Sequence, residues 1–198
     1  MAQQGRTKPG NRVRTWRPPI NQQQSTMYPT TVHNPAVPYA AFIDGGFLPG
    51  KLLRVHGSVP HYADRFAINL ECGRIAGIQN DIALHVNPRF KENQIVRNTR
   101  QNSEWGPEQR FGPLSLKRGE AFEIAVLCEP AQFKIAVNGQ HLCDYPHRLQ
   151  YHRISHLVIT GDVTLFQVSF EGCAGVSPAP SYPVPYPVTS STYPPQPL

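Results

Sequence analysis

The middle of the chain predicts an all-β fold, a two-sheet antiparallel β-sandwich running from about Tyr39 to Glu171. Three observations carry this. From Tyr39 onward, short apolar alternations are separated by turn residues about every eight to twelve positions, the spacing of sandwich and barrel strands. Helical periodicity is nearly absent, so no amphipathic helix is on hand to cover a sheet's apolar face and a second sheet has to. Asn138-Gly139 and Gly161-Asp162 both look like hairpin turns, because each pair tolerates positive φ between two apolar runs.

The elements follow from side-chain period. In RFAINLEC, Phe66, Ile68, Leu70 and Cys72 share one face. DIALHVNPRF sends Ile82, Leu84 and Val86 one way and His85, Asn87 and Arg89 the other. Pro88 falls on the apolar side and has no N–H to give, so this end of the strand should sit at an edge, a bulge or the end of a ladder. IVRNTR places Asn98 with Val96, and GPEQR is expected to return as a strand with Glu108 and Arg110 on one face. EAFEIAVLC aligns Phe122, Ile124, Val126 and Cys128; QFKIAV aligns Phe133, Ile135 and Val137 and turns at Asn138-Gly139 into QHLCDY. HLVIT and VTLFQVSF, joined across Gly161-Asp162, complete the set.

Composition bounds the rest. The 21 prolines crowd toward both ends, so residues 1–36 are expected to be a disordered basic arm, 37–172 the folded domain, and 173–198 a Pro-rich linker or tail in polyproline II or coil. The net charge is +6, most of it from Arg6, Lys8, Arg12, Arg14 and Arg17, and no acid precedes Asp44. The remainder is close to neutral. Nucleic acid is therefore disfavoured as a partner, and only the arm, with Trp16 to stack, offers that chemistry. No apolar run of signal-peptide length occupies the N-terminal region, and none nears the ~20 residues that span a bilayer. Cytoplasmic synthesis without membrane insertion is the expectation. Cys72, Cys128, Cys143 and Cys173 lack CxxC or other metal spacing, so free thiols are expected, with no metal and no cofactor.

The outward side chains of the strands around DIALHVNPRF, IVRNTR and GPEQR converge on one patch. It holds a cation-anion-cation group, Arg89, Glu108 and Arg110, beside His85, Asn87 and Asn98 as neutral donors and acceptors. That inventory suits hydroxyl groups, which both give and accept hydrogen bonds, and the ionised members make the stronger bonds. Trp105, brought in by the turn NSEWG, adds a flat apolar face at the rim. A ligand with a ring of hydroxyls and one apolar C–H face fits: a sugar.

The pattern His85-x-Asn87-Pro88-Arg89, then Asn98, then Trp105-Gly106-x-Glu108-x-Arg110 resembles the carbohydrate-recognition signature of galectins, the β-galactoside-binding lectins. The resemblance covers most of residues 37–171, including VPY, GGFLPG at Gly45 to Gly50, RFAINL, NDIALH, FKIAVNGQH and HRL at His147 to Leu149. It implies a jelly-roll sandwich of the tandem-repeat type, partnered by β-galactoside-bearing glycoproteins and glycolipids. By that resemblance His85, Asn87 and Arg89 bond the axial 4-hydroxyl of galactose, and Asn98 and Glu108 its 6-hydroxyl. Trp105 stacks on the sugar's apolar face, while Arg89, Glu108 and Arg110 hold the 3-hydroxyl of the next residue. The resemblance also implies a linked second lectin domain or a homo-oligomer that crosslinks glycans, and unconventional secretion from the cytoplasm. Val86 and Gln109 depart from frequent Phe and Glu, the loop RIAGIQ is of a length that varies, and His61 and Tyr62 are candidates to line an extended groove.

Two other readings compete. A glycosidase needs two carboxylates about 5 to 9.5 Å apart, one with a raised pKa; Glu108 is the only carboxylate expected in the patch, and two arginines beside it favour its ionised form. A protein-interaction module with the same fold but little sugar binding is the other alternative, and the intact set of polar residues argues against it.

Overall fold

The structure, a computed structural model, describes residues 30–73 and 80–172. The arm through residue 29 with Trp16, the loop RIAGIQ and the tail from 173 with Cys173 lie outside the described residues. In chain order the elements are β1 (Thr30–His33), β2 (Tyr39–Phe42), β3 (Leu52–Ser58), β4 (Phe66–Cys72), β5 (Asp81–Arg89) and β6 (Gln94–Gln101). They continue with β7 (Glu104–Trp105), β8 (Ala121–Cys128), β9 (Gln132–Val137), β10 (Gln140–Pro146), a 3-10 turn at Tyr151–Arg153, β11 (His156–Gly161) and β12 (Thr164–Glu171). Two six-stranded sheets result, ordered β1-β12-β3-β8-β9-β10 and β2-β11-β4-β5-β6-β7. The fold is the expected antiparallel jelly-roll sandwich, all-β.

The inward faces of the two sheets make one core. Phe66, Ile68 and Leu70 from β4 meet Phe122, Ile124 and Val126 from β8 and Phe133, Ile135 and Val137 from β9, as the period-2 pattern requires. Phe66 and Phe122 stack across the layers with centroids 5.3 Å apart. Cys72, Cys128 and Cys143 are free and buried, and burial pushes the Cys128 thiol up to about 12 and the Cys72 thiol to about 11.

Asn138 and Gly139 both take positive φ, and the β9–β10 hairpin closes on them with Val137 opposite Gln140. The same expectation fails at Gly161-Asp162. β11 and β12 belong to different sheets, so this turn is a corner that carries the chain from one layer to the other. Gly161, at φ +95, is needed because a Cβ there would sit 2.7 Å from Arg65 O. Asp162 then ties the corner down, accepting from Asp64 N at 2.8 Å and donating its own N–H to Arg65 O at 2.9 Å.

Two further differences bear on the site. Ile82 does not share a face with Leu84 and Val86: the register of β5 slips by one residue against both neighbours near Ala83, so Ile82 lies opposite Glu71 while Ala83, Leu84 and Val86 enter the core. The bulge re-aims the strand just before His85. β1, within the stretch expected to be arm, adds to the sheet edge by pairing with β12; all four of its residues are exposed, so no apolar alternation could announce it.

Candidate functional site

The open face of the second sheet carries the site. Register sets Asn69, His85 and Asn98 side by side on β4, β5 and β6, with Asn87 two residues further along beside Val96. Pro88 needs no bulge or edge: β5 is a central strand, and at Pro88 it keeps its ladder to β6 while the regular ladder to β4 has ended at Val86. Asn102 and Ser103, both at positive φ, form the two-residue turn into β7 that delivers Trp105 opposite Arg100. The expected third strand through Glu108 and Arg110 does not form. After β7 the chain stays on β6 through Gly106 N, which donates to Thr99 O at 3.0 Å, and then meets it again only at the isolated Gln109–Arg97 bridge, Pro107 having no N–H to continue the ladder; Glu108 and Arg110 nevertheless flank that bridge and lie together.

A cavity of about 500 Å³ lies over these strands, and His85, Asn87, Arg89, Asn98, Trp105 and Glu108 all line it. Arg110 does not; it holds Glu108 from outside, its Nε donating to Oε2 at 2.6 Å. His61 and Tyr62 do not line it either, Tyr62 being 81% exposed in its turn. Trp105 is half-exposed, with the His85 ring 4.8 Å from it, and forms a side wall. Arg65 and Thr160 extend the opposite wall.

The polar groups are held by one another. His85 Nδ1 pairs with Asn69 Oδ1 at 2.6 Å. Burial, and then the positive charge of Arg89, lower the His85 pKa to about 4, so the ring is neutral near pH 7. With Nδ1 donating to Asn69, Nε2 is left as an acceptor. Asn87 donates to Phe66 O and accepts from Arg89 Nε at 2.7 Å. Asn98 donates to Gly106 O at 2.8 Å, and its Oδ1 accepts from Thr99 N and from Arg148.

The expected cation-anion-cation group is in fact a closed ring of four charges. Arg89 bonds Glu108 at 2.8 Å, Glu108 bonds Arg110, Arg110 bonds Glu92 at 2.7 Å, and Glu92 returns to Arg89 at 3.4 Å. Glu108 is thus not the only carboxylate of the patch. Glu92 sits in the turn between β5 and β6, where three residues after Arg89 is the spacing that could have drawn attention to it. Burial alone would raise the Glu108 carboxyl, but the bonds and charges of Arg89 and Arg110 hold it below the usual carboxylate range. Asn69 and Arg148 were also missed. Arg148 reaches Asn98 and Pro107 O from the loop after β10, a contact between distant segments that no local spacing signals.

Chemically the cavity offers fixed N–H donors, an imidazole acceptor, an ionised carboxylate and an indole wall. A lowered carboxylate and a lowered imidazole are poor proton donors near neutral pH. The arrangement suits recognition of a hydroxylated ring.

Comparison with known proteins agrees with this geometry. The family model described as galactoside-binding lectin matches residues 38–170. Galectin-12 of Mus musculus is 36% identical over 159 residues, covering 79% of this chain and 51% of that protein. Galectin-4 of Homo sapiens is 39% identical over 150 residues, covering 72% of this chain and 44% of its own length. The chain spans about half the length of the curated relatives it matches. Among solved structures, the Caenorhabditis elegans galectin LEC-6 superposes with a TM-score of 0.64 at 27% identity, over 71% of this chain and 95% of that one. A family match spanning most of the folded part, on a jelly-roll sandwich with this polar face, places the chain among the galactoside-binding lectins, the galectins.

Proposed function

We propose that the chain binds β-galactosides of the lactose and N-acetyllactosamine type at the cavity over β4 to β7, without altering them. The observation that carries this is the gathering of six cavity-lining polar and aromatic side chains from β5, β6, β7 and the segment after it around one opening. His85 Nε2, Asn87 and Arg89 take the axial 4-hydroxyl of galactose, and Asn98 and Glu108 its 6-hydroxyl. Trp105 stacks on the face that an axial 4-hydroxyl leaves apolar. Arg89, Glu108 and Arg110 hold the 3-hydroxyl of the following glucose or N-acetylglucosamine.

Selectivity follows from unmet partners. Glucose, with an equatorial 4-hydroxyl, leaves donors and an acceptor in the cavity unpaired at about 1 to 3 kcal/mol each. A shallow site for one disaccharide gives modest affinity, so avidity comes from linking sites, through a second lectin domain or self-association, and the output is crosslinking of glycoconjugates.

Retention of the chain on immobilised lactose tests the reading. Arg89→Ala and Trp105→Ala should both elute in the flow-through while keeping the fold by circular dichroism. Retention of both variants would place sugar binding elsewhere, and release of nitrophenol from a nitrophenyl β-galactoside would make the protein a glycosidase.

A further inference from the structure

Among the described residues Arg97 is the largest side chain that is buried completely, and it lies on the core side of β6, between Val96 and Asn98 of the groove face. A guanidinium there is costly unless its donors are met. Nη1 bonds Ile95 O and the Cys143 sulfur offers a weak acceptor to the guanidinium, but Nε and Nη2 meet no oxygen or nitrogen acceptor among the described residues. Burial pulls its pKa below the ordinary value, with the Cys143 thiol and the Tyr145 hydroxyl as the polar groups facing it. What the guanidinium does have is an aromatic plate: its Cζ stands 4.6 Å from the centroid of Phe111, a cation–π distance.

Phe111 is 59% exposed and closes the segment that carries Glu108 and Arg110. Beyond Gly106, whose N–H donates to Thr99 O, the segment has one backbone contact with β6, in which Arg97 N donates to Gln109 O at 2.9 Å and Gln109 N to Arg97 O at 2.8 Å. Arg97 therefore grips the segment twice, by its backbone at Gln109 and by its side chain at Phe111. Arg148 pins the other end through Pro107 O at 2.8 Å.

We propose that Arg97 is a positioning residue for the second-sugar end of the cavity: its pairing with Phe111 fixes the Gly106–Phe111 segment so that Glu108 and Arg110 meet the residue that follows galactose. This rests on the galactoside-binding reading above and adds to it. The galactose end is built on β5, β6 and β7 and shares only its Glu108 contact with this segment, so it depends far less on the pairing. A methionine in place of Arg97 fills similar space without unmet donors, so stability should hold or rise while placement of the segment is lost.

The test is an NMR titration of the full chain with methyl β-galactoside and with lactose, for the wild type, Arg97→Met, Phe111→Ala and the double variant. Each single variant should bind lactose about tenfold more weakly and methyl β-galactoside at most about threefold more weakly. The double variant should be no worse than the weaker single one, since both remove the same contact. The thermal midpoint of Arg97→Met should equal or exceed that of the wild type. Lactose affinity unchanged in both single variants, equal losses for the two sugars, or additive losses in the double variant would each overturn the proposal. If Arg97→Met fails to fold, the exposed Phe111→Ala decides alone. A wild type that binds neither sugar refutes the galactoside reading instead.

Discussion

His85 Nδ1 stands 2.6 Å from Asn69 Oδ1, and this contact between β4 and β5 decides which face of the imidazole meets a ligand. With the proton held on Nδ1, Nε2 accepts, and protonation of the ring would remove that acceptor. Burial and the charge of Arg89 keep the folded pKa at about 4, against an unfolded value of about 6.5. Lactose affinity should therefore stay level from pH 8 to about 5 and fall only near 4. Calorimetric titration across that range checks this; a midpoint of loss near 6.5 would mean the ring is not desolvated.

The same shift sets a pH dependence of stability. Between about pH 6.5 and 4 the unfolded state binds a proton at His85 that the folded state does not, so stability rises with pH through this window and is lost as pH falls through it. Between pH 7 and pH 4.5 the loss attributable to this residue should amount to ~2 kcal/mol. Urea unfolding of the wild type and His85→Gln at pH 7 and pH 4.5 measures it. The variant should lose less stability than the wild type on going to the lower pH; equal losses would assign the dependence to other groups.

Glu108→Gln keeps the shape of the side chain and removes the charge that Arg89 and Arg110 share. Each charge-assisted bond from Glu108 to a sugar hydroxyl contributes about 1.5 to 3 kcal/mol, so losing two weakens lactose binding by at least ~150-fold. The fold should barely register the change, because the pairs are partly exposed and Glu92 still bonds both arginines. Binding isotherms and a melting curve on the same sample separate the two effects; a large drop in thermal midpoint would show that the ring of charges is structural first.

How much of this was legible in the sequence depends on whether the cause was local. The core faces of β4, β8 and β9 and the Asn138-Gly139 hairpin are visible because period and turn chemistry are properties of adjacent residues. Six of the seven expected positions line the cavity, and their gathering was legible because they lie in one stretch of sequence. Glu92, Asn69 and Arg148 were not, since their roles arise from a turn, a neighbouring strand and a loop distant in the chain. The corner at Gly161 and the bulge near Ala83 escaped because the same dipeptide or alternation serves either geometry, and only packing of the second layer chooses. Arg97 in the core runs against composition rules altogether.

Gly57→Ala probes the coupling of the two sheets. A Cβ at Gly57 would meet Thr164 O at 2.4 Å and the Phe122 ring at 3.2 Å, and Phe122 in turn stacks on Phe66 under the cavity. The substitution should cost about 2 to 3 kcal/mol and weaken lactose binding as well, because Phe66 supplies the carbonyl that holds Asn87. Denaturant unfolding gives the first number. A variant as stable as the wild type would mean that β3 and β12 can part without consequence.

Pro88 offers the sharpest test of how the backbone builds the site. Continuing the register of Ile68 opposite Val86 by two residues sets Pro88 opposite Phe66, and the bridge between Arg65 and Arg89 confirms that register. Proline has no N–H, so it can give none to the Phe66 carbonyl. Asn87 Nδ2 donates to that carbonyl, which leaves Asn87 Oδ1 to accept from Arg89 Nε at 2.7 Å. Pro88 lines no part of the cavity, yet two cavity side chains are aligned by its missing donor. Pro88→Ala restores an N–H that competes for Phe66 O and frees the Asn87 amide. Lactose affinity should fall about three- to tenfold while stability changes by less than ~1 kcal/mol, and hydrogen exchange should reveal a protected amide at position 88. Unchanged affinity alongside that protected amide would show that Asn87 is held by Arg89 alone.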